Sequence, residues 1–195
     1  SSVTISSGIT GVGNNAFRGC TSLTSITIPD TVVSIGENSF IDSTTLSSVV
    51  LGSGITTILD SAFRNLPITA ITIPAAVTNI GPNVFRNTDL TQVTFSGTST
   101  LTTIDSYAFA ECSDMTVLSI PGSLITIGQY AFTESGLTSV TIPDTVTTIG
   151  ANAFKSSSSL TQITVGTGVI FGNIGDNVCE GCAALSTVIL NSIVP

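Results

Sequence analysis

Histidine is absent from this 195-residue sequence, and lysine and arginine together number only four. Without imidazole, the commonest general acid/base and metal ligand is missing. Four cations against twelve anions give a net charge of −8. That argues against nucleic acid and against anionic membrane surfaces, both of which call for basic patches. Charged residues of both signs make up 8%, far below the roughly 25% of ordinary soluble domains. No apolar run approaches the ~20 residues that a membrane-spanning helix needs. There is no initiator Met and no signal-peptide pattern, so any targeting segment is expected to have been removed or to lie outside this stretch. What is abundant is apolar residues, at 42%, with Ser and Thr in place of the missing charge. So apolar and weakly charged a chain is prone to aggregate unless a regular structure pairs its backbone.

The regularity is visible in the phenylalanines. Phe17, Phe40, Phe63, Phe85, Phe109, Phe132 and Phe154 stand 23, 23, 22, 24, 23 and 22 residues apart, and Cys179 takes the next slot 25 later. A fixed period in this range is the signature of a leucine-rich repeat or a related solenoid. Other columns lock onto the same frame. Val12, Ile35, Ile58, Ile80, Ile104, Ile127, Ile149 and Ile174 lie five residues before each slot. A glycine column follows them at Gly13, Gly36, Gly81, Gly128, Gly150 and Gly175, broken by Leu59 and Asp105. Five or six residues after the slot come Leu23, Leu46, Ile68, Leu90, Met115, Leu137, Leu160 and Leu185.

The segment from Leu23 to Ile28 alternates apolar and polar with β-branched residues dominant, which predicts one short strand per repeat. Pro29, Pro74, Pro121 and Pro143 end it, since proline cannot donate to a continuing ladder. The glycine column predicts a turn with unusual backbone angles or close packing. The Asn-Ala-Phe stretch predicts a one-turn helix, a 3₁₀ turn or a plain turn on the far side of each coil. Stacked at the ~4.8 Å strand spacing, each column becomes a ridge inside the solenoid, and stability comes from neighbouring coils.

The pattern Leu-x-x-Ile-x-Ile-Pro-x-x-Val-x-x-Ile-Gly-x-x-Ala-Phe-x-x-Cys resembles the BspA-like class of leucine-rich repeat. Its fullest copies run from Leu23 to Phe40 and from Leu137 to Phe154, and the resemblance covers nearly the whole chain. It implies a right-handed solenoid of about eight coils of 22–25 residues, forming one repeat domain over 1–195, with a parallel sheet on the concave face. It also implies a surface-exposed or secreted protein of bacteria or protists, with adhesive roles in some members. The family shares no catalytic residues, so the resemblance implies no enzyme and no cofactor. Three places depart from the pattern: Cys179 replaces the aromatic, and Ser96 to Thr100 and Val169 to Asn173 are enlarged; these places are expected to bulge or kink the stack.

The residues that could carry chemistry are few. Cys20, Cys112 and Cys182 share the slot three after the aromatic, where the expectation is a small apolar packing residue. Cys20 and Cys112 lie four repeats apart, roughly 19 Å by strand spacing, too far for a disulfide. Cys179 and Cys182 form a lone CxxC with neither a second pair nor a histidine to complete a zinc site; the alternative is a disulfide between them. All four cations, Arg18, Arg64, Arg86 and Lys155, sit one residue after a phenylalanine, as a solvated edge or a basic docking line. Asp60 lies four before Arg64 and is a candidate partner. Paired carboxylates of the glycosidase kind would make a polysaccharide-active β-solenoid enzyme, yet the acids form no recognisable cluster.

The outward strand positions are the more informative surface. Ser25, Thr27, Ser48, Thr72, Gln92, Thr94, Ser119, Ser139, Thr141, Gln162 and Thr164 make an almost uncharged, hydroxyl-lined sheet face. Thr suits exposed strands in any case. The functional expectation is a broad binding surface for a protein or a glycan, with an ice-binding array as a minor alternative. The chain begins and ends within repeats, so it is expected to belong to a longer array, or to stack end to end into filaments through Val3, Ile5, Val188 and Leu190. The sequence thus predicts a non-enzymatic extracellular or cell-surface module for adhesion or recognition, with self-association as the rival.

Overall fold

The computed structural model describes residues 2–170 and 172–191. Its strands are, in chain order, β1 (Ser2–Thr4), β2 (Gly11–Val12), β3 (Ser25–Thr27), β4 (Ser34–Ile35), β5 (Ser48–Val50), β6 (Thr57–Ile58), β7 (Ala70–Ile73), β8 (Asn79–Ile80), β9 (Gln92–Phe95), β10 (Thr103–Ile104), β11 (Thr126–Ile127), β12 (Ser139–Ile142), β13 (Thr148–Ile149), β14 (Gln162–Val165) and β15 (Thr187–Leu190). All pairings are parallel and join successive coils, giving a solenoid of about eight turns.

A regular coil has two strands, where the sequence predicted one. The two-residue strands β2, β4, β6, β8, β10, β11 and β13 form one unbroken sheet. A bridge from Ile149 to Ile174 carries it into the last coil. Its register runs through Val12, Ile35, Ile58, Ile80, Ile104, Ile127 and Ile149, the isoleucine column of the sequence. The glycine beside this column answers to close packing and not to left-handed backbone. A Cβ at Gly36 would lie 2.6 Å from Asn14 N, and one at Gly128 would lie 2.6 Å from the Asp105 carbonyl carbon. Gly13, in the first coil, would meet nothing within 4 Å. The glycine lets each narrow strand lie directly on the one before it.

The far side of each coil is turn; among the described residues there is no α- or 3₁₀-helix. The positions two before and two after the aromatic take positive φ, as at Asn38 (53°) and Asp42 (61°), or Asn83 (52°) and Asn87 (54°). A left-handed residue on each side of the phenylalanine prevents a helical run. It also turns the amides along the stack. Phe40 N–H donates to Ala62 O at 2.9 Å, and Phe85 N–H donates to Ala108 O at 2.8 Å. Backbone donors that a helix would have satisfied internally are satisfied by the following coil.

The phenylalanines form the predicted spine. Their rings stack from Phe17 through Phe154 with centroids 5.2–5.7 Å apart, and Phe40, Phe63, Phe85, Phe109, Phe132 and Phe154 are fully buried. The cysteine slot is more than small apolar filler. Cys112 Sγ donates to Phe85 O at 3.1 Å and Cys182 Sγ to Phe154 O at 3.0 Å. Ser43 and Ser157 hydroxyls make the same bond to Phe17 O and Phe132 O. In these four coils the slot holds a donor for the carbonyl of the preceding phenylalanine; Thr88 instead donates to Phe85 O of its own coil, and Leu66 fills the slot as a buried apolar residue. All four cysteines are free thiols. Burial pushes the Cys112 thiol up to about 11, which keeps the S–H in place as a donor.

The spine predicts a position-dependent cost. Phe85→Ala removes a ring packed on both faces and should lower stability by about 3–5 kcal/mol in chemical denaturation. Phe17→Ala, at the half-buried end of the stack, should cost clearly less.

Candidate functional site

The longer strands form a second sheet, and it is not continuous. It falls into three panels: β1-β3-β5, β7-β9 and β12-β14-β15. Between the last two lies Val117 to Ile120, which takes no strand pairing on either side. Leu118 still points into the core and is buried, so the coil is present but its backbone has left the ladder. The enlarged Ser96–Thr100 turn adjoins this gap. It is tied back to the preceding coil, where Ser96 N–H donates to Ile73 O and Thr100 N–H and Oγ1 both donate to Ala75 O. Between this turn and residues 119–123 opens a cleft of about 680 Å³, lined by Thr94, Phe95, Thr98, Ser99, Ser119 and Pro121 among others. That volume is in the range of small-ligand sites. A smaller depression of about 200 Å³, lined by Val50, Thr72, Gln92 and Thr94 among others, marks the break between β5 and β7. The second enlargement, 169–173, leaves Ile170 63% exposed but does not interrupt the sheet, since β14 pairs β15 across it. Phe171 within it lies outside the described residues.

The residues expected to form the face are brought to the surface but divided among the panels. Ser25, Thr27 and Ser48 lie on the first; Thr72, Gln92 and Thr94 lie on the second; Ser139, Thr141, Gln162 and Thr164 lie on the third. Ser119 lies in the unpaired segment. Among the described residues, no hydrogen bond within the protein engages the hydroxyls of Thr27, Thr72, Thr94 or Thr141, whereas Gln162 Nε2 donates to Thr164 Oγ1. The neighbouring threonine column behaves differently. Thr91, Thr138 and Thr161 Oγ1 donate to Thr69, Thr116 and Thr138 carbonyls of the preceding coil. One column staples coils, and the other offers its hydroxyls outward. Val50 and Val117, 53% and 66% exposed, add apolar contact area at the two breaks. The same interruptions disfavour the regular lattice of hydroxyls that ice recognition would require.

The charged groups sit elsewhere, and several of them link coils. Asp60 does not pair with Arg64; it accepts from Ser61 Oγ and Asn83 Nδ2. Ion pairs run between coils, from Arg86 to Glu111 at 2.6 Å and from Lys155 to Glu180 at 3.3 Å. Asp30 accepts from Ser53 N–H and Oγ, and these bonds hold its carboxyl below the usual range. Asp144 accepts from Thr167 N–H. Arg86 and Lys155, two of the four cations, are thus tied to carboxylates of the following coil, and among the described residues no cluster of three or more Cys, Asp or Glu is placed to hold a metal.

At the ends, Val3 and Ile5 are half-buried in the first coil beside a groove of about 390 Å³. Val188 and Leu190, on β15, are 55% and 58% exposed. They occupy the register of Ile163 and Val165.

Comparison with known proteins agrees with this architecture. The model of the BspA type leucine-rich repeat region matches residues 1–100 and 78–194, with six copies. A leucine-rich repeat protein of T. pallidum superposes with a TM-score of 0.64 at 24% identity, over 95% of this chain and 78% of that one. A leucine-rich repeat protein of Bacteroides ovatus superposes at 0.56 and 24% identity, over 98% of this chain. This chain spans 64% of the length of that protein. Among curated proteins none matches. The repeat columns, the parallel coil architecture and the family match together place this chain in the BspA-type leucine-rich repeat family.

Proposed function

We propose that this chain is a non-enzymatic recognition module that acts outside the cell and binds a protein or glycan ligand through its hydroxyl-lined main sheet. The observation that carries this reading is the division of labour between the threonine columns. Hydroxyls that hold coils together are engaged with backbone carbonyls, while those of Thr27, Thr72, Thr94 and Thr141 have no partner within the protein among the described residues. The cleft beside Thr94 and Ser119 gives this otherwise shallow face a place for a protruding group. Membership of a repeat family without shared catalytic residues supports recognition over catalysis, as does the engagement of Asp30, Asp42, Asp60, Glu111, Asp144 and Glu180 in bonds between coils. An uncharged face on a chain of net charge −8 favours neutral partners over nucleic acid or anionic lipid.

Replacing Thr72, Thr94 and Thr141 together with Glu should leave the fold intact, since all three are exposed. It should abolish the binding detected when the wild-type chain is screened on arrays of extracellular proteins and glycans. Unchanged binding would remove this face from consideration.

A further inference from the structure

The turn side of the solenoid carries a feature that the main sheet does not explain. The slot two residues before the aromatic has φ between 52° and 60° in every coil. Asn15, Asn38, Asn83, Asn152 and Asn177 fill it in five coils and Ser61 in a sixth. Asparagine tolerates left-handed backbone; a bulky side chain there is an outlier. Yet in two adjacent coils the slot holds Tyr107 (φ 58°) and Tyr130 (φ 56°), the only tyrosines of the chain. Coil geometry does not call for them, since asparagine supports the same turn elsewhere.

The two rings lie at the surface, half-exposed, and stack with centroids 4.7 Å apart at 6°. One outer face of the pair is covered: the Arg86 guanidinium sits 5.2 Å from the Tyr107 centroid. Glu111 fixes that guanidinium through Nε at 3.1 Å and Nη2 at 2.6 Å. The other outer face belongs to Tyr130 and looks toward the next coil, where the same slot holds Asn152. An asparagine side chain is shorter than a phenol, so the outer part of the Tyr130 ring projects past it. The result is a one-sided aromatic shelf held rigid from behind by a second ring and a clamped arginine. Around it are the polar side chains of Asn152 and of the exposed Gln129 and Glu134 of the same turn.

We infer that this shelf is a binding site for a neutral, β-linked oligosaccharide, separate from the main-sheet face. A β-gluco pyranose presents a flat face of axial C–H bonds that stacks on one open aromatic ring, and its equatorial hydroxyls reach side-chain amides at the rim. The shelf lacks the second aromatic wall that encloses a quaternary ammonium. The net charge of −8 disfavours anionic polysaccharides. Strained backbone at an exposed site is where function is to be sought, and here the strain is met twice in succession to build one platform.

The test uses a built-in probe. The chain has no tryptophan and both its tyrosines are in the shelf, so tyrosine emission reports this site alone. Titration with cellohexaose, chitohexaose and xylohexaose should give a saturable change with at least one of them, and hexagalacturonate should give none. By calorimetry, Tyr130→Asn should weaken that binding about ten-fold or more without lowering the thermal midpoint, because asparagine is the ordinary residue of the slot. Tyr130→Phe should retain binding, since stacking needs the ring and not the hydroxyl. The Thr72, Thr94 and Thr141→Glu variant should also retain it. The inference is overturned if none of the three neutral sugars changes the emission, if hexagalacturonate binds as well as they do, if Tyr130→Asn binds as tightly as wild type, or if Tyr130→Phe loses binding.

Discussion

The structure depends on one constraint: every coil must lie in register on the one before it, close enough for backbones to bond and rings to stack. Phenylalanine rings 5.2–5.7 Å apart and the unbroken narrow sheet are two expressions of it. The glycine column is a third, because a Cβ at Gly36 or Gly128 would strike the preceding backbone. The donor slot of Ser43, Cys112, Ser157 and Cys182 is a fourth. None of these interactions would be strong in an isolated coil. Repeated along the axis, they make neighbour contacts the source of stability, and the main sheet can then be interrupted without loss of the stack.

That freedom connects fold to function. Leu118 remains in the core although Val117 to Ile120 has left the sheet. The solenoid can therefore open a cleft in its exposed sheet while its spine continues behind it. The enlarged turn at Ser96–Thr100 uses this tolerance, held by bonds to Ile73 and Ala75 carbonyls. The outward threonines lie on panels framed by such breaks, and the tyrosine shelf stands on the turn side. Both surfaces vary residues that the stacking constraint leaves free.

Much of this was legible in the sequence. The period, the phenylalanine spine, the isoleucine column and the outward Thr/Ser positions follow from apolar spacing, which reports directly on burial. What escaped has physical reasons. The second strand of each coil is two residues long, too short to show alternation, and its glycine looked like a turn. The left-handed positions flanking the aromatic are filled by Asn, Ser, Asp, Glu and Tyr as well as Gly, so no single residue type announced them. An i,i+4 pairing of Asp60 with Arg64 presupposed a helical turn, whereas the ion pairs follow the stack and join residues 25 apart. The break at Val117–Ile120 was hidden because its apolar pattern matches an ordinary strand, and what differs is the turn before it.

Amide hydrogen exchange resolved by residue tests the central claim most directly, because it reads which backbone bonds hold the stack. The account predicts slow exchange at amides donating between coils in the narrow sheet and the turn ladder, such as Gly36, Phe40, Phe85 and Gly128, and fast exchange across Val117 to Ile120. Protection across Val117 to Ile120 equal to that of β12, or exchange at Phe85 as fast as at the exposed breaks, would contradict it.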